Sequence, residues 1–252
     1  MPPPGLLRNL AWLELLLAVP TAAALLLVTA PYGRHIRSGW GPSLPAWLGW
    51  MLMEAPAPAA FLLFWLQGEH RGELVPLVWL GMWQAHYLHR AFVWPLGLRR
   101  GKGRMLLSVA GMAVAFNVLN GYVNGAWTSG GGARPASWLA DPRFLAGAAL
   151  FAGGLWLNVA SDRALRRLRR PGETGYRIPR GGAFEWVSCP NYLGEVVEWT
   201  GWAIATWSLP GLAFAVYTAA NLVPRALSHH AWYRREFPDY PRGRRAVLPY
   251  LL

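Results

Sequence analysis

Two groups of polar residues lie in apolar stretches of this chain, at spacings that turn each group into a surface. Asn158, Asp162 and Arg166 recur at four-residue intervals and so share one helix face. Asn191, Glu195 and Glu198, at spacings of four and three, repeat the device on a second predicted helix. Carboxylates inside apolar helices are expensive and mark functional positions; the plainer reading is that they only bind neighbouring helices together. A cationic loop joins the two faces, so they read as the floor of a site for an anionic ligand.

More arginines accompany them. Arg169, Arg177, Arg225 and Arg244 are interleaved with Tyr176, His230 and Tyr233. Guanidinium groups suit bidentate phosphate recognition, and the hydrogen-bonding side chains between them suit ribose hydroxyls and an amide. Topogenic charge and contact with anionic lipid explain most of these arginines one by one; together the set reads as a nucleotide surface. The chain has no strand–Gly-x-Gly-x-x-Gly–helix unit and no Walker motif, so a helical bundle must cradle such a ligand with side chains.

A second constellation lies upstream. Glu54 precedes Pro56, and His86, Tyr87, His89 and Arg90 follow on the next apolar segment. A buried carboxyl beside a tyrosine can polarise a carbonyl. Taken alone, Glu54 also reads as a kink or interfacial acid, and His86 with Arg90, one turn apart, as an interhelical polar pair. His229 and His230 lack a third ligand at metal spacing, so no metal is expected. Glu14 has no assigned role.

These residues must be positioned by apolar helices. Of the 252 residues 54% are hydrophobic and only 14% charged, with 16 Trp. A helix needs roughly 20 apolar residues to cross a bilayer. The pattern predicts an all-α, polytopic membrane protein in one domain over 1–252, with seven transmembrane helices. They run from about Leu6 to Val28, Leu44 to Leu66 (bent by Pro56 and Pro58), Leu74 to Pro95, Met105 to Val123, Phe144 to Leu165, Asn191 to Ser208, and Pro210 to Leu227. With seven crossings, one side carries nineteen of the Lys and Arg residues and the other only Arg8, Arg71, Arg134 and Arg143. The positive-inside rule then sets the N-terminus outside and the C-terminus in the cytoplasm. The first apolar run lacks a basic leader and a clear cleavage site, so it reads as a span rather than a signal peptide. The net charge of +12 is explained by this topology and not by nucleic acid. Cys189 is the single cysteine, which excludes an internal disulfide. Gly130, Gly131 and Gly132 read as part of an outer connection.

The motifs together resemble the steroid 5-alpha-reductase family. The resemblance is carried by Arg169-Arg170-Pro171-Gly172-Glu173, Tyr176-Arg177-Ile178-Pro179, Gly181-Gly182, Asn191-Tyr192-Leu193-Gly194-Glu195, Glu198-Trp199 and Ala205-Thr206-Trp207-Ser208-Leu209-Pro210. His229-His230-x-Trp232-Tyr233, Asp239-Tyr240-Pro241, Arg244 and Pro249 continue it, and Tyr32-Gly33-Arg34-His35, Glu54 and His86-Tyr87-Leu88-His89-Arg90 extend it to the N-terminal half. It implies a membrane reductase that uses NADPH to reduce the C4–C5 double bond of 3-oxo-delta-4 steroids. Glu54 and Tyr87 would hold the 3-keto oxygen while hydride reaches C5. Asn158, Asp162, Arg169, Tyr176, Arg177, Asn191, Glu195, Arg225, His230, Tyr233 and Arg244 would line the NADPH site, with Tyr32 and Arg34 closing it and Arg166 added on spacing. About 1–125 would be mainly the substrate side and about 144–252 mainly the cofactor side. Trp50, Phe92 and Phe116 are candidates for the apolar substrate cavity or for lipid-facing packing. Membrane lipids are the other expected contacts, with no nucleic acid and no obligate protein partner.

Cys189-Pro190 departs from the family pattern, and Pro190 should fix the entry to the sixth helix. The richness in Arg, Trp and Ala, with one Lys, points to a high-GC bacterial genome and so to an inner membrane with the cofactor site facing the cytoplasm. Other readings are a reductase of enoyl-thioesters or polyprenoids, whose substrates are also conjugated to a carbonyl, and an S-adenosylmethionine-dependent lipid methyltransferase, which shares the Pro190-Asn191-Tyr192-Leu193-Gly194 pattern. A channel or lipid-binding protein would need neither the Tyr176-Arg177 loop nor the polar face of the sixth span.

Overall fold

The computed structural model describes residues 3–31, 33–37, 39–98, 103–168 and 175–252. Tyr32 and Arg169 lie outside the described residues. Helix α1 spans Pro4–Leu27. Helices α2 (Ala46–Glu54) and α3 (Pro56–Trp65) are one apolar run interrupted at Ala55. The cause is local: Pro56 and Pro58 each lack the N–H that would continue the ladder. Gln84 and the Trp83 indole donate to the carbonyls of Pro58 and Ala57, at 3.1 and 3.4 Å. Helix α4 (Leu74–Leu88) passes through a π-helical turn, His89–Val93, into the short α5 (Trp94–Leu96). Such widened turns are frequent at functional sites, and this one carries Arg90.

Helix α6 covers Leu107–Ser129, α7 Pro142–Arg167, α8 Pro190–Thr206 and α9 Leu209–Glu236. Pro190 opens α8, as its fixed φ favours at a first helical position. A helix therefore covers each of the seven predicted segments, with α2–α3 and α4–α5 each forming one. Among the described residues, three stretches, Gly5–Leu27, Ala46–Trp65 and Pro142–Arg167, are long and apolar enough to cross a membrane by length and composition. One feature departs from an all-α description. The short strands β1 (Ser43–Pro45) and β2 (Arg104–Leu106) pair antiparallel, Leu44 opposite Met105, and tie the start of α2 to the start of α6.

The tightest junction is between α7 and α8. Gly147 and Gly154 on α7 face Gly201 and Gly194 on α8, and a Cβ at any of the four would overlap the backbone of the other helix. Small residues of this kind let helix backbones touch where the lipid supplies no hydrophobic drive. The contact brings Asn158 and Asp162 alongside Asn191 and Glu195. Beside it lies an aromatic core in which Trp83 stacks on Phe61 (centroids 4.6 Å apart) and Trp199 packs on Phe214 (4.3 Å). Two of its indoles are tied off: Trp202 donates to Asn124 Oδ1 at 3.0 Å and Trp138 to the Ala205 carbonyl at 2.9 Å.

Candidate active site

A cavity of about 450 Å³ opens between α1, α2, α4, α6, α8 and α9. This volume falls in the range of about 300–1,000 Å³ seen for small-molecule sites. Its apolar walls include Leu25, Met53, Met112 and Phe116, with Trp50 at the α2 side. Among its polar residues are Glu54, Tyr87, Arg90, Asn117, Tyr192, Glu195 and Arg225. Four residues expected at the substrate, Glu54, Tyr87, Trp50 and Phe116, thus share one cavity. Phe92 is exposed and is not among the lining residues. The lining draws on both parts of the chain, since α8 and α9 supply Tyr192, Phe214, Tyr217 and Arg225.

Glu54 stands at the end of α2, immediately before the break at Ala55, and its side chain is buried. Asn117 of α6 donates to the Met53 carbonyl at 2.6 Å and to Glu54 Oε2 at 3.4 Å. Tyr87 is held by rings, 5.0 Å from Trp83 and 5.6 Å from Trp199, and makes no hydrogen bond to another described residue. Its hydroxyl is therefore available to a ligand. Beneath it, His86 Nδ1 lies 2.9 Å from Glu198 Oε1, with both residues buried.

Arg90 joins the two constellations. Its Nη1 donates to Asp162 at 2.9 Å, its Nη2 lies 3.6 Å from Glu195 and its Nε 3.9 Å from Glu54. The guanidinium is sandwiched by Trp50 and Trp94, each ring centroid 4.8 Å away. Asn191 donates to the other Asp162 oxygen at 3.0 Å. Asn158 donates to the Asn191 carbonyl at 2.9 Å and to Glu195 at 3.3 Å. The two polar faces therefore pair with one another and with Arg90. Asn158 and Asp162 are buried behind the cavity rather than lining it.

A cationic and aromatic stack forms a separate cluster. Arg34 lies over the rings of Tyr176, Trp232 and Tyr233, at 5.0, 4.6 and 4.6 Å, and donates to the Tyr233 hydroxyl at 3.3 Å. Tyr233 stacks on Tyr240, with centroids 5.2 Å apart and planes 10° from parallel, and Arg244 lies 5.3 Å from the Tyr240 ring. The tail is held there by backbone bonds: Ser188 N–H donates to the Arg245 carbonyl at 2.8 Å and Cys189 N–H to that of Ala246 at 3.1 Å. His230 is engaged with Ser188 at 2.6 Å. Arg166 packs beside Gly97, and Arg177 is exposed next to Tyr176.

The donor set of this stack fits a phosphate-bearing group. Arg244 is 1% exposed, yet its Nε, Nη1 and Nη2 have no hydrogen-bond partner among the described residues, and Arg34 Nη1 has none either. Glu185 is 3.8 Å from Arg244, too far for a hydrogen bond. Buried polar atoms are normally satisfied, so these are positions where an anion would complete the structure. The described residues contain no group of His, Cys, Asp and Glu able to hold a metal ion.

The sequence reading assigned no role to Asn117, Tyr192 or the His35–His229 pair, whose Nε2 and Nδ1 lie 3.1 Å apart. Asn117, an amide in an apolar helix, was the visible signal. The others become meaningful only through contacts across nearly the whole chain.

A family model described as 3-oxo-5-alpha-steroid 4-dehydrogenase matches residues 103–252. The chain is 43% identical over 251 residues to 3-oxo-5-alpha-steroid 4-dehydrogenase 1 of Bos taurus, covering 98% of this chain and 97% of that one. It is 42% identical over 240 residues to steroid 5-alpha-reductase DET2 of Arabidopsis thaliana, covering 92% and 91%. To the Homo sapiens 3-oxo-5-alpha-steroid 4-dehydrogenase 1 it is 39% identical over 253 residues, covering 98% and 95%. With relatives this similar along nearly its whole length, and with an apolar cavity that holds an acid and a tyrosine, the chain belongs to the 3-oxo-5-alpha-steroid 4-dehydrogenase family.

Proposed function

We propose that this protein reduces the C4–C5 double bond of 3-oxo-delta-4 steroids with NADPH, giving 5-alpha-3-oxosteroids. The observation that carries the reading is that Glu54 and Tyr87, from α2 and α4, line the same largely apolar cavity. A steroid bound there with its 3-keto oxygen toward these two residues meets the Tyr87 hydroxyl and the protonated Glu54 carboxyl as donors. Charge develops on that oxygen as C5 is reduced, and donors aimed where charge develops are the largest single contribution to many enzymatic rates. Asn117 holds the Glu54 side chain in place, and Trp83 and Trp199 hold the Tyr87 ring.

NADPH, when bound, supplies the hydride for C5. Arg34 and Arg244 would hold its phosphates, since each has buried guanidinium nitrogens with no hydrogen-bond partner among the described residues. Tyr176, Tyr233 and His230 would shape the same surface, with Arg177 and Arg166 around its mouth; Arg169 and Tyr32, outside the described residues, are carried as cofactor contacts by the family resemblance alone. Asn158, Asp162, Asn191 and Glu195 would set the inner edge, and Arg225 would stand between cofactor and steroid. The substrate enters from the bilayer and the cofactor from the cytoplasm. This requires seven crossings with the C-terminus inside, which the Lys and Arg bias supports; the Arg-rich, Lys-poor composition supports a bacterial inner membrane.

The test is conversion of progesterone or testosterone by the purified protein in detergent with NADPH, followed by mass spectrometry. The expected product is heavier by one H2, and Glu54→Gln should lose it by about 10²–10³-fold in rate while still binding NADPH. NADPH binding without any steroid product would move the activity to enones of other lipids. Loss of NADPH binding in Glu54→Gln would overturn the division of labour between Glu54 and the arginine surface.

A further inference from the structure

Reduction of an enone is complete only when C4 receives a proton, and neither Glu54 nor Tyr87 is free to give it while both hold the oxygen. Tyr192, in the first turn of α8, lines the same cavity. Its oxygen accepts a hydrogen bond from Arg225 Nη2 at 3.1 Å and lies 3.1 Å from His229 Nε2. His229 Nδ1 in turn lies 3.1 Å from His35 Nε2, with the rings stacked at 5.0 Å. His35 belongs to the turn Gly33–His35 and is partly exposed, so the series runs from the protein's rim to the cavity wall.

We propose that Tyr192 is the acid that protonates C4 of the steroid enolate and that His229 and His35 return the proton to it from solvent. This role rests on the reductase reading. The hydrogen-bond arithmetic favours it. When His35 donates from Nε2 to His229 Nδ1, His229 carries its hydrogen on Nε2 and donates to Tyr192. The Tyr192 oxygen then accepts from both His229 and Arg225, and its own hydrogen has only the cavity to point into. The step balances. The enolate electron pair forms the C4–H bond as the Tyr192 O–H bond breaks, and the 3-keto group is restored. The phenolate left behind faces the Arg225 guanidinium, which stabilises it. His229 then gives its Nε2 proton to Tyr192, takes one on Nδ1 from His35, and His35 takes one from water. No further reductant or oxidant is needed.

The charged groups around the series suit transfer between neutral rings. Burial, and then Arg34, Arg235 and Arg37 facing it, push the His35 pKa down to about 4. Arg34 and Arg225 face His229, while Arg90, Asp162, Arg34 and Cys189 surround Tyr192. At neutral pH His35 thus conducts a proton by exchanging tautomers and does not hold it as a cation.

The experiment is Tyr192→Phe, assayed with progesterone and NADPH deuterated at the transferring position, in H2O and in D2O. The expected result is a fall in kcat of about 10²–10⁴-fold with NADPH binding unchanged. The isotope effect from the labelled NADPH should shrink and the solvent isotope effect should grow, because protonation becomes limiting. A second variant, His35→Ala, should lose part of its turnover and regain it when imidazole is added to the buffer. Wild-type turnover in Tyr192→Phe would overturn the proposal, and so would a loss with both isotope effects unchanged and no imidazole rescue of His35→Ala. A wild-type protein that reduces no 3-oxo-delta-4 steroid would sink the reductase reading itself, a result distinct from any of these.

Discussion

Arg90 and Arg244 are both buried arginines among aromatic rings, and the protein treats them in opposite ways. Arg90 has Asp162, Glu195 and Glu54 around it at 2.9, 3.6 and 3.9 Å. Arg244 has one half-exposed carboxylate at 3.8 Å and three nitrogens with no hydrogen-bond partner among the described residues. Removing a cation from water costs several kcal/mol unless charge and hydrogen bonds replace the lost hydration. The Arg90 network makes much of that replacement inside the protein, although Arg90 Nε too has no hydrogen-bond partner among the described residues, and so acts as a structural joint between α2, the π-helical turn, α7 and α8. The Arg244 region leaves it unmade, and this is where the proposed phosphate contact would supply it. A buried guanidinium is thus evidence of a binding site only when its partners are missing.

The comparison breaks most sharply at Arg90. Arg90→Met would leave Asp162 and Glu195 without their shared cation. Breaking a buried ion pair this way typically costs about 3–5 kcal/mol, so thermal unfolding in detergent should show a large loss before any ligand is added. An unchanged melting temperature would mean that the network is not the joint described here.

Arg244→Met should do the reverse. The ligand-free protein should unfold at the same temperature or higher, because an unsatisfied cation has been removed. NADPH affinity should fall, by the roughly 1.5–3 kcal/mol that a hydrogen bond to a charged group contributes, or about 10–100-fold. Titration of NADPH fluorescence reads this directly. Equal affinity in the variant would remove Arg244 from the cofactor surface.

The smallest effect is expected at His35, on the rim of the arginine stack. Its ring titrates at about 4 in the folded protein against 6.5 ordinarily, so the unfolded chain takes up the proton first. Stability should therefore decline as pH falls from 6.5 toward 4, and His35→Gln should flatten that decline. The effect is modest because the ring is half exposed. An identical pH slope in the variant would place His35 in solvent, away from Arg34 and Arg235.

Much of the fold was legible because apolar run length and proline positions are local. The seven segments, the break near Pro56 and the start of α8 at Pro190 all follow from residues close together in the chain. The β1–β2 pair was not legible, because Ser43–Pro45 and Arg104–Leu106 are too short to carry a pattern and 58 residues of chain separate them. The i, i+4 spacing of Asn158 with Asp162 and of Asn191 with Glu195 was visible; that the two faces hydrogen-bond to each other and to Arg90 was not. Residue spacing tells which side chains share a face but not which face meets it.

What the sequence determined by itself is the chemical inventory: the helices, the charge asymmetry, and the acid, tyrosine and arginines available for a reaction. Those properties reside in single residues and their near neighbours. Only the tertiary structure decided which arginine is ringed by carboxylates and which has a single distant one. Only it set Tyr192 between Arg225 and His229, with His35 behind. The physical reason is the close contact of α7 with α8 through Gly147, Gly154, Gly194 and Gly201, together with the packing of α1 on α9. Such contacts fix distances between residues up to 199 positions apart, and no spacing rule reaches that far.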